Sequence, residues 1–327
     1  MYAIQLNGFG GPEVMEWTVA VDPEPGPGEV LVEVAAAGVN RADVMQRKGF
    51  YPPPADASSI LGLECSGTIV KLGAGVADWQ VGDRVCALLA GGGYAQLVAV
   101  PVTQLLPIPE GMDAIAAAGL PEVAATVWSN LVMTAGVRSG QLVLIHGGGG
   151  GIGTHAIQVL RGLGARVAVT AGSAEKLAKC AELGAEILIN YRTEDFVAVV
   201  AEQGGADVIL DNMGAVYLQR NVEALAPHGQ LVVIGMQGGT TGELNVATLL
   251  RKWGSVHATN VRSRPRVGPG SKAEIIAAVR AQLWPQVVAG EIVPVISTEL
   301  PVTEAARAHE MLDDSQTFGK VILRVGD

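Results

Sequence analysis

The sequence predicts an α/β fold in which a doubly wound parallel sheet is joined to a second, β-rich domain. Its 327 residues are enough for two domains of about 150 residues each. In the first third, short β-type runs are separated by Gly and Pro, and from residue 141 strand-like and helix-like segments alternate. This alternation is typical of βαβ units and of a parallel sheet covered by helices on both faces.

The strands of the first third predict a folded-over, partly barrel-like β domain. Apolar and β-branched residues mark these strands at 30–34, 66–70, 83–89 and 94–100. From residue 112 the pattern changes, and helices are expected at 113–119 and 122–135.

The second half supplies the parallel sheet. Its strands are expected at 141–146, 166–170, 186–190, 206–211, 230–235 and 254–259. Helices between the earlier strands are expected at 154–163, 174–182 and 193–202. A basic, Pro-rich stretch then leads to a helix at 272–289 and a closing strand at 319–325. The uninterrupted apolar run at 142–145 suits a strand that is buried on both faces.

Composition restricts the function and the compartment. The apolar share is 49% and the net charge is −10, which argues against a nucleic-acid-binding protein. The three Cys residues lie far apart, which excludes a disulfide scaffold and a four-cysteine zinc site and fits a reducing cytoplasm. The N-terminus has no basic segment followed by an apolar core, and the uncharged stretch at 85–109 is broken by Gly and Pro. We therefore expect a cytoplasmic protein with neither a secretory signal nor a membrane span.

A run of glycines marks the candidate cofactor site. It contains the pattern GxGxxG, a weak signal in a chain this rich in Gly, where a flexible turn is the alternative. Here the run leaves an apolar strand and opens a helix, which is the context of a dinucleotide-binding loop. Backbone N–H groups and the positive end of the helix would approach a pyrophosphate there. The loop residues expected to bind it are Gly148, Gly150, Gly151, Ile152 and Gly153.

The end of the next strand indicates which dinucleotide is bound. NAD-binding proteins usually place an acid about 20 residues after the glycines, on the ribose 2′-hydroxyl. Here the strand ends in Ser173 without an acid, and Lys176 follows. A small hydroxyl residue and a cation suit a 2′-phosphate, which favours NADPH. The alternative interpretation makes Ser173 the N-cap of the next helix and Lys176 a solvated residue of its first turn.

Further motifs, in fixed order and nearly end to end, resemble the zinc-independent quinone oxidoreductases of the medium-chain dehydrogenase/reductase superfamily, closest to the branch typified by the tumour-suppressor-inducible quinone oxidoreductase. The stretches that carry the resemblance are 10–13, 40–47, 60–67, 88–93, 107–111, 170–173, 189–191 and 261–264. The resemblance implies a GroES-like domain formed by residues 1–122 and 262–327 and a Rossmann domain formed by residues 123–261, with the active cleft between them. It also implies a homodimer joined through the edges of the Rossmann sheets, for which residues 240–246 are the expected edge.

The resemblance also implies roles for individual residues. Asn40 and Tyr51 match the catalytic positions that face the nicotinamide and the substrate, and Thr126 matches a position near the nicotinamide and its ribose. The positions that match 2′-phosphate and adenosine contacts are Ser173, Lys176 and Tyr191, and those that match the cofactor cleft are Asn212, Gly235, Met236 and Gln237. The family usually has Ala or Ser in the phosphate loop where this chain has Gly147, Gly149 and Gly150, and we expect the more flexible loop to weaken cofactor affinity.

The residues at the metal positions of the zinc-dependent relatives predict that no metal is bound. Asn40 stands where those relatives have Cys, and Leu63 stands where they have His. Catalytic zinc needs three protein ligands, and Glu64 alone cannot supply them. Without a Lewis acid, alcohol oxidation is disfavoured, whereas an electron-poor acceptor such as a quinone needs less help.

The expected function is therefore an NADPH-dependent quinone reductase in which hydride passes to a quinone beside Asn40 and Tyr51. Hydrogen bonds would stabilise the quinone oxygen as charge develops on it. Tyr51 and water both stay open as the proton source, and one-electron and two-electron transfer are not separated. Two alternatives stay open: an NADPH-dependent enone or alkenal reductase, and a non-catalytic NADPH-binding protein. Asp43 is expected to fix the Asn40 loop through backbone hydrogen bonds.

Overall fold

The computed structural model describes residues 1–314 and 316–326. The chain forms two compact units. The first contains Met1–Ala125 and the chain from Val261 onwards, and the second contains Thr126–Asn260. The boundaries expected from the sequence, after residues 122 and 261, lie within three residues of these.

The strands alternate with helices in the second unit and follow one another more directly in the first. In chain order they are β1 (Tyr2–Leu6), β2 (Met15–Val19), β3 (Glu29–Val39), β4 (Glu64–Leu72), β5 (Arg84–Leu88), β6 (Leu97–Pro101), β7 (Leu105–Pro107), β8 (Leu142–His146), β9 (Arg166–Ala171), β10 (Ile187–Asn190), β11 (Ala206–Asp211), β12 (Leu225–Val233), β13 (Ser255–Ala258), β14 (Ile296–Pro301) and β15 (Lys320–Arg324).

The helices are mostly short. They are α1 (Arg41–Arg47), α2 (Ala114–Ala117), α3 (Pro121–Val127), α4 (Gly151–Gly162), α5 (Ala174–Leu183), α6 (Phe196–Ala201), α7 (Leu218–Ala224), α8 (Val246–Arg251), α9 (Lys272–Ala278), α10 (Trp284–Val288) and α11 (Ala305–Asp313). A π-helical segment, Trp128–Thr134, continues α3, and another, Val279–Leu283, joins α9 to α10.

The second unit contains the parallel sheet that the sequence predicts. Its strand order is β10-β9-β8-β11-β12-β13, and neighbouring strands are parallel throughout. Counted from β8, this is the order 3-2-1-4-5-6 of the Rossmann fold. Leu144, Ile209 and Leu231 are completely buried in its core. The predicted α/β class is confirmed, and β8 and β11 lie at the point where the strand order reverses.

The first unit contains a mixed sheet in the order β14-β15-β3-β4-β5-β7, with β6 also paired to β3, and a separate hairpin of β1 and β2. The eleven-residue strand β3 is its centre and pairs antiparallel with β15, β4 and β6. Because β15 pairs with β3, the end of the chain returns to the N-terminal domain, as the resemblance implied. This pairing positions the residues of the candidate acceptor site.

Some expectations from the sequence are wrong in detail. The strand expected at 94–100 begins at Leu97, and the helix expected at 122–135 continues as a π-helix. Residues 240–245, part of the segment expected to supply a dimer edge, form no strand, and Val246 begins α8. Among the described residues, the outermost strand on this side of the sheet is β13. No strand or helix was predicted from the sequence for β1, β2, β7, β14, α1, α7, α8 and α11.

One helical stretch, Ala114–Thr134, is long and apolar enough to cross a membrane by length and composition alone. In its most apolar window, 78% of the residues are buried inside the structure, which is the environment of a core helix.

Candidate functional site

The glycine loop connects β8 to α4 and is fixed by Thr170 on the neighbouring strand β9. The backbone N–H of Gly147 donates to the Thr170 hydroxyl at 3.2 Å, and the N–H of Gly148 donates to the Thr170 carbonyl at 2.9 Å. Gly147 has a φ of 76°, a conformation that favours glycine. The strand, loop and helix context that the sequence predicted is therefore confirmed.

The three fingerprint glycines have different surroundings. A Cβ on Gly148 would lie 2.7 Å from the Cβ of Val169, and one on Gly153 would lie 2.4 Å from the carbonyl oxygen of Gly147. Both positions therefore require glycine for close packing of the loop and helix. A Cβ on Gly150 would meet a single atom, the carbonyl oxygen of Gly147, at 3.4 Å. The loop is thus accessible at Gly150, where a dinucleotide pyrophosphate needs to approach the backbone.

The N-terminus of α4 adds hydrogen-bond donors beside this opening. The helix is twelve residues long, and the N–H of Thr154 donates to the carbonyl of Gly150 at 2.9 Å. The N–H groups of Gly151, Ile152 and Gly153 precede that first helical bond, and such groups have no partner within the helix itself. Together with the helix dipole they form a site suited to a phosphate.

A buried histidine, His146, supports the glycine loop through Thr170. It was not predicted from the sequence as part of the site. His146 Nδ1 lies 3.2 Å from the Thr170 hydroxyl, and Nε2 lies 2.7 Å from Oδ1 of Asn221. Burial lowers the pKa of His146 to about 4, which makes the imidazole neutral near pH 7. Because the amide oxygen of Asn221 is an acceptor, Nε2 carries the proton and the Thr170 hydroxyl donates to Nδ1.

The turn after β9 contains the residues expected to recognise a 2′-phosphate. The hydroxyl of Ser173 accepts from the N–H of Lys176 at 3.3 Å, so Ser173 is the N-cap of α5 as the alternative interpretation proposed. The neighbouring acid, Glu175, pairs with Lys179 at 2.8 Å. Capping uses one lone pair of the hydroxyl and leaves the other available to a ligand.

Arg192 is a second cation at this turn, and the sequence analysis missed it. A Cβ on Gly172 would lie 2.4 Å from the Tyr191 hydroxyl and 3.3 Å from Nε of Arg192, so both side chains cover the turn. Burial and, to a smaller extent, the nearby Arg192 charge lower the pKa of Lys176. The proximity of two cations suits a dianionic phosphate. The available signal was the position of Arg192 directly after Tyr191.

Asn212 follows β11 on the other side of the glycine loop. Its Nδ2 lies 3.0 Å from the position of a Cβ on Gly147, and its buried Oδ1 has no hydrogen-bond partner among the described residues. The N–H of Gln237 donates to the Asn212 carbonyl at 3.2 Å, and a Cβ on Gly235 would lie 2.7 Å from that same carbonyl. The loops after β11 and β12 are therefore packed together, with Met236 exposed between them. A buried acceptor without a partner beside the phosphate loop fits a ligand that donates hydrogen bonds.

Thr126 lies buried in α3, where its carbonyl accepts hydrogen bonds from Asn130 at 2.8 Å and Ser129 at 3.3 Å. Its expected role near a nicotinamide stays a prediction.

In the first unit, Asn40 belongs to a buried cluster with Glu64 and Lys320. Asn40 Nδ2 donates to Glu64 Oε1 at 2.9 Å, and Lys320 Nζ donates to Asn40 Oδ1 at 2.7 Å. Lys320 also forms a salt bridge with Glu64 Oε1, while Glu64 Oε2 accepts from the N–H of Glu122 at 2.9 Å. The sequence analysis did not find Lys320, because it is separated from Asn40 by 280 positions.

Asp43 fixes the backbone around Asn40, as expected. Its carboxylate accepts from the N–H of Asn40 at 2.8 Å and from the N–H of Gly62 at 3.0 Å. The Tyr94 hydroxyl donates to the same carboxylate at 3.3 Å. Burial raises the pKa of Asp43 to about 6, although these backbone hydrogen bonds lower it. The structural role of Asp43 is confirmed.

Tyr51 is held by Arg262, a residue to which the sequence analysis gave no role. The Arg262 guanidinium lies 5.3 Å from the centre of the Tyr51 ring and donates to the Tyr51 carbonyl at 3.3 Å. It also donates to Gln46 Oε1 at 2.6 Å and to the Ala90 carbonyl at 2.8 Å. Burial raises the pKa of the Tyr51 phenol, which therefore remains a hydrogen-bond donor at neutral pH.

The first unit also contains a cavity of about 430 Å³, lined by residues that include Ser58, Leu88 and Arg262. Within the described part of the chain, neither Asn40 nor Tyr51 lines this cavity. The cavity therefore does not identify the acceptor position, and the hydrogen-bonded groups around Asn40 and Tyr51 remain the candidates.

The residues around Asn40 do not fit a divalent metal ion. Both carboxylate oxygens of Glu64 already accept hydrogen bonds, and the Lys320 ammonium occupies the space between Glu64 and Asn40. An ammonium beside the only carboxylate of the cluster repels a second cation. Within residues 1–314 and 316–326, no group of three His, Cys, Asp or Glu side chains is arranged to hold a metal.

Two family models match the chain, one in each part. Residues 26–110 match the alcohol dehydrogenase GroES-like domain, and residues 151–274 match the zinc-binding dehydrogenase domain. The second name describes the family, and the donor set around Asn40 in this chain does not provide the corresponding zinc site.

Curated relatives match nearly the whole chain. A 2-haloacrylate reductase from a Burkholderia species is 32% identical, with 98% of each chain covered. A quinone oxidoreductase from Pseudomonas aeruginosa is 33% identical, again with 98% of each chain covered. The two names describe different acceptors, so the reaction class is shared and the acceptor differs.

Solved structures match equally well. The quinone oxidoreductase of Escherichia coli complexed with NADPH aligns with a TM-score of 0.88 and 28% identity, covering 99% of this chain and 100% of that one. An NAD-dependent alcohol dehydrogenase aligns with a TM-score of 0.87 and 32% identity, covering 100% of both chains.

Proposed function

Because the chain belongs to the quinone oxidoreductase family of the medium-chain dehydrogenase/reductase superfamily, we propose that it is an NADPH-dependent oxidoreductase that reduces quinones without a metal ion. The observation that carries the proposal is the Asn40, Glu64 and Lys320 cluster. By the resemblance, Asn40 stands where a metal-dependent relative has a ligand, and here it forms a hydrogen-bonded group with the oppositely charged Glu64 and Lys320.

The cofactor assignment is supported by a neighbouring structure that contains NADPH and by the residues of this chain. The N–H groups of the glycine loop and of the α4 N-terminus would bind the pyrophosphate. Lys176 and Arg192 would neutralise the 2′-phosphate, while Ser173 and Tyr191 would contact the phosphate and the adenosine. The buried Oδ1 of Asn212 would be available to accept a hydrogen bond from the cofactor. When bound, NADPH supplies a hydride from its nicotinamide ring.

The acceptor is proposed to bind beside Asn40 and Tyr51. A quinone carbonyl is easily reduced, and hydrogen bonds to its oxygen are sufficient to stabilise the charge that develops during reduction. Asn40 supplies an amide N–H, and the Tyr51 phenol, which keeps its proton because its pKa is raised, supplies a second donor. Alcohol oxidation is helped by a metal ion that promotes loss of the alcohol proton, and this donor set does not fit one, so the site suits a reduction more than an alcohol oxidation.

A second candidate acceptor is an electron-poor alkene conjugated to a carboxylate or carbonyl group. The 2-haloacrylate reductase among the relatives favours it, since its identity to this chain is close to that of the quinone oxidoreductase. The same N–H donors would stabilise an enolate oxygen, so the site chemistry does not separate the two acceptors.

The test is NADPH oxidation, followed by absorbance, with phenanthrenequinone, a haloacrylate and a short enone, and with NADH in parallel. We expect turnover with the quinone and a preference for NADPH. Turnover of an alkene without turnover of the quinone would replace the first proposal by the second. Tight NADPH binding without turnover of any acceptor would support the non-catalytic alternative.

A further inference from the structure

The termini of three strands meet at Asn40. The residue directly follows β3, while Glu64 is the first residue of β4 and Lys320 is the first residue of β15. Strand β3 pairs with both β4 and β15, with Val39 opposite Val321 and Ala37 opposite Cys65. The sheet register therefore brings together side chains that are 24 and 256 positions away from Glu64 in sequence.

The chemistry of Lys320 and Glu64 determines the orientation of the Asn40 amide. An ammonium group only donates hydrogen bonds, so it must face the amide oxygen; an ionised carboxylate only accepts them, so it must face the amide nitrogen. The observed contacts follow this rule, with Lys320 Nζ at 2.7 Å from Oδ1 and Glu64 Oε1 at 2.9 Å from Nδ2. The opposite orientation would place donor against donor and acceptor against acceptor.

One N–H of the Asn40 amide remains weakly used. Nδ2 carries two hydrogens, and one is donated to Glu64. The other contacts the carbonyl of Gly38 at 3.4 Å, a long hydrogen bond that a better acceptor can replace. Asn40 is also the least buried member of the cluster, at 8% exposure against 5% for Lys320 and 0% for Glu64.

We infer that Lys320 and Glu64 are positioning residues for the proposed reaction, because they hold the Asn40 amide so that its second N–H is presented to the acceptor oxygen. This inference rests on the proposed function. The two charges cancel, so the cluster orients the amide without adding a net charge to the site. Asn40 touches the acceptor, whereas Lys320 and Glu64 act through Asn40.

The experiment compares Lys320→Met and Glu64→Gln with the wild type, using NADPH and phenanthrenequinone. Lys272→Met is the matched control, because Lys272 is another buried lysine of the same unit and donates to the Arg264 carbonyl. We expect kcat to fall at least about tenfold in both cluster variants. Removal of a transition-state donor costs roughly a hundredfold in kcat, and a misoriented donor should lose a part of that. The KM for NADPH should stay within about twofold, and the control should retain its kcat.

A double-mutant cycle separates positioning from general damage. If Lys320 acts through Asn40, Lys320→Met should cause no further loss of kcat in an Asn40→Ala background. Losses that multiply would overturn the inference. If thermal unfolding shows that Lys320→Met does not fold, the same cycle is measured with Glu64→Gln. Gln keeps the size of Glu but offers both donor and acceptor atoms.

The orientation can also be tested without turnover. The side-chain amide resonances of Asn40, assigned by their loss in Asn40→Ala, should show one proton shifted strongly downfield by the Glu64 carboxylate. Lys320→Met and Glu64→Gln should each reduce this shift, and unchanged resonances would overturn the inference. A wild type that turns over no acceptor but shows these resonance changes would contradict the proposed function and leave the orientation of the amide established.

Discussion

The hydroxyl of Thr170 lies between His146 and the glycine loop, 3.2 Å from His146 Nδ1 and 3.2 Å from the nitrogen of Gly147. A five-glycine run has many accessible conformations, and ordering it costs free energy on folding and on binding. Thr170, on the neighbouring strand β9, accepts hydrogen bonds from the first two residues of the run and so restricts their backbone conformations. His146, itself fixed by Asn221, restricts Thr170.

Replacement of Thr170 by Val should therefore weaken cofactor binding as well as the fold. The variant leaves buried Nδ1 of His146 without its donor, which should lower the free energy of unfolding by about 1–3 kcal/mol. The KM for NADPH should rise about fivefold, which corresponds to about 1 kcal/mol of lost loop order. Urea unfolding and steady-state kinetics measure the two effects. Thr134→Val is the control, since its hydroxyl bonds the Ser129 carbonyl within the same unit.

Lys176 and Arg192 should determine the preference for NADPH over NADH. Alanine at either position should raise the KM for NADPH about ten- to a hundredfold, because a charge-assisted phosphate contact contributes roughly 1.5–3 kcal/mol. The KM for NADH should stay nearly unchanged, and the difference should shrink with added salt. Lys179→Ala, which removes an exposed partner of Glu175, is the control. Equal losses with both cofactors would indicate general damage to α5 instead of a lost phosphate contact.

The parts of the fold that were predicted from the sequence are those with a local signal. The apolar strand β8, its glycine loop and α4 are consecutive, and a parallel, doubly wound sheet is expected from the alternation of strands and helices. Lys320 has no such signal, because its partners lie 256 and 280 positions away and depend on the pairing of β3 with β15. The seven-residue helix α1 is too short for a clear 3.6-residue period, and the Asp43 contact to the Asn40 N–H marks only its start.

The pH dependence of stability should reveal the buried carboxyl of Asp43. Burial raises its pKa from 3.8 to about 6. Between about pH 4 and about pH 6 the folded chain therefore keeps a proton that the unfolded chain has already lost. Its contribution to stability is complete below about pH 4, is lost as the pH rises to about 6, and stays constant above that. The stability of Asp43→Asn relative to the wild type should therefore rise through this interval by up to about 3 kcal/mol.

Urea unfolding at several pH values measures the difference between the two proteins. Asn replaces a carboxylate that accepts two backbone N–H groups, so the variant should be less stable than the wild type overall, and the pH trend is the diagnostic quantity. Asp195→Asn provides a contrast, because a hydrogen bond from Arg220 lowers the pKa of Asp195. That variant should lose relative stability as the pH rises through the acidic range. A pH-independent difference for Asp43→Asn would contradict the prediction.

Activity should survive dialysis against a strong chelator, and the purified protein should contain no stoichiometric zinc. The reason is the donor set, in which Asn40 and Leu63 occupy two ligand positions and Lys320 neutralises Glu64. Elemental analysis of the protein and assays before and after chelation measure both properties. One tightly bound zinc per chain, or activity that returns only when zinc is added, would overturn this prediction.

The protein should be a homodimer whose subunits meet at strand β13. Among the described residues this strand pairs with β12 on one side, and an outermost strand offers backbone groups to a second copy. Val256 in this strand and Leu250 and Trp253 just before it are exposed and add apolar surface at this edge of the sheet. Light scattering at micromolar concentration should give twice the monomer mass, and Val256→Pro should shift the measured mass towards that of the monomer because Pro cannot donate a strand hydrogen bond.

Val288→Pro is the control, as it places the same residue at an exposed position of the first unit, at the end of α10. A wild type of monomeric mass would refute the dimer, and a dimer that persists in Val256→Pro would place the interface away from β13.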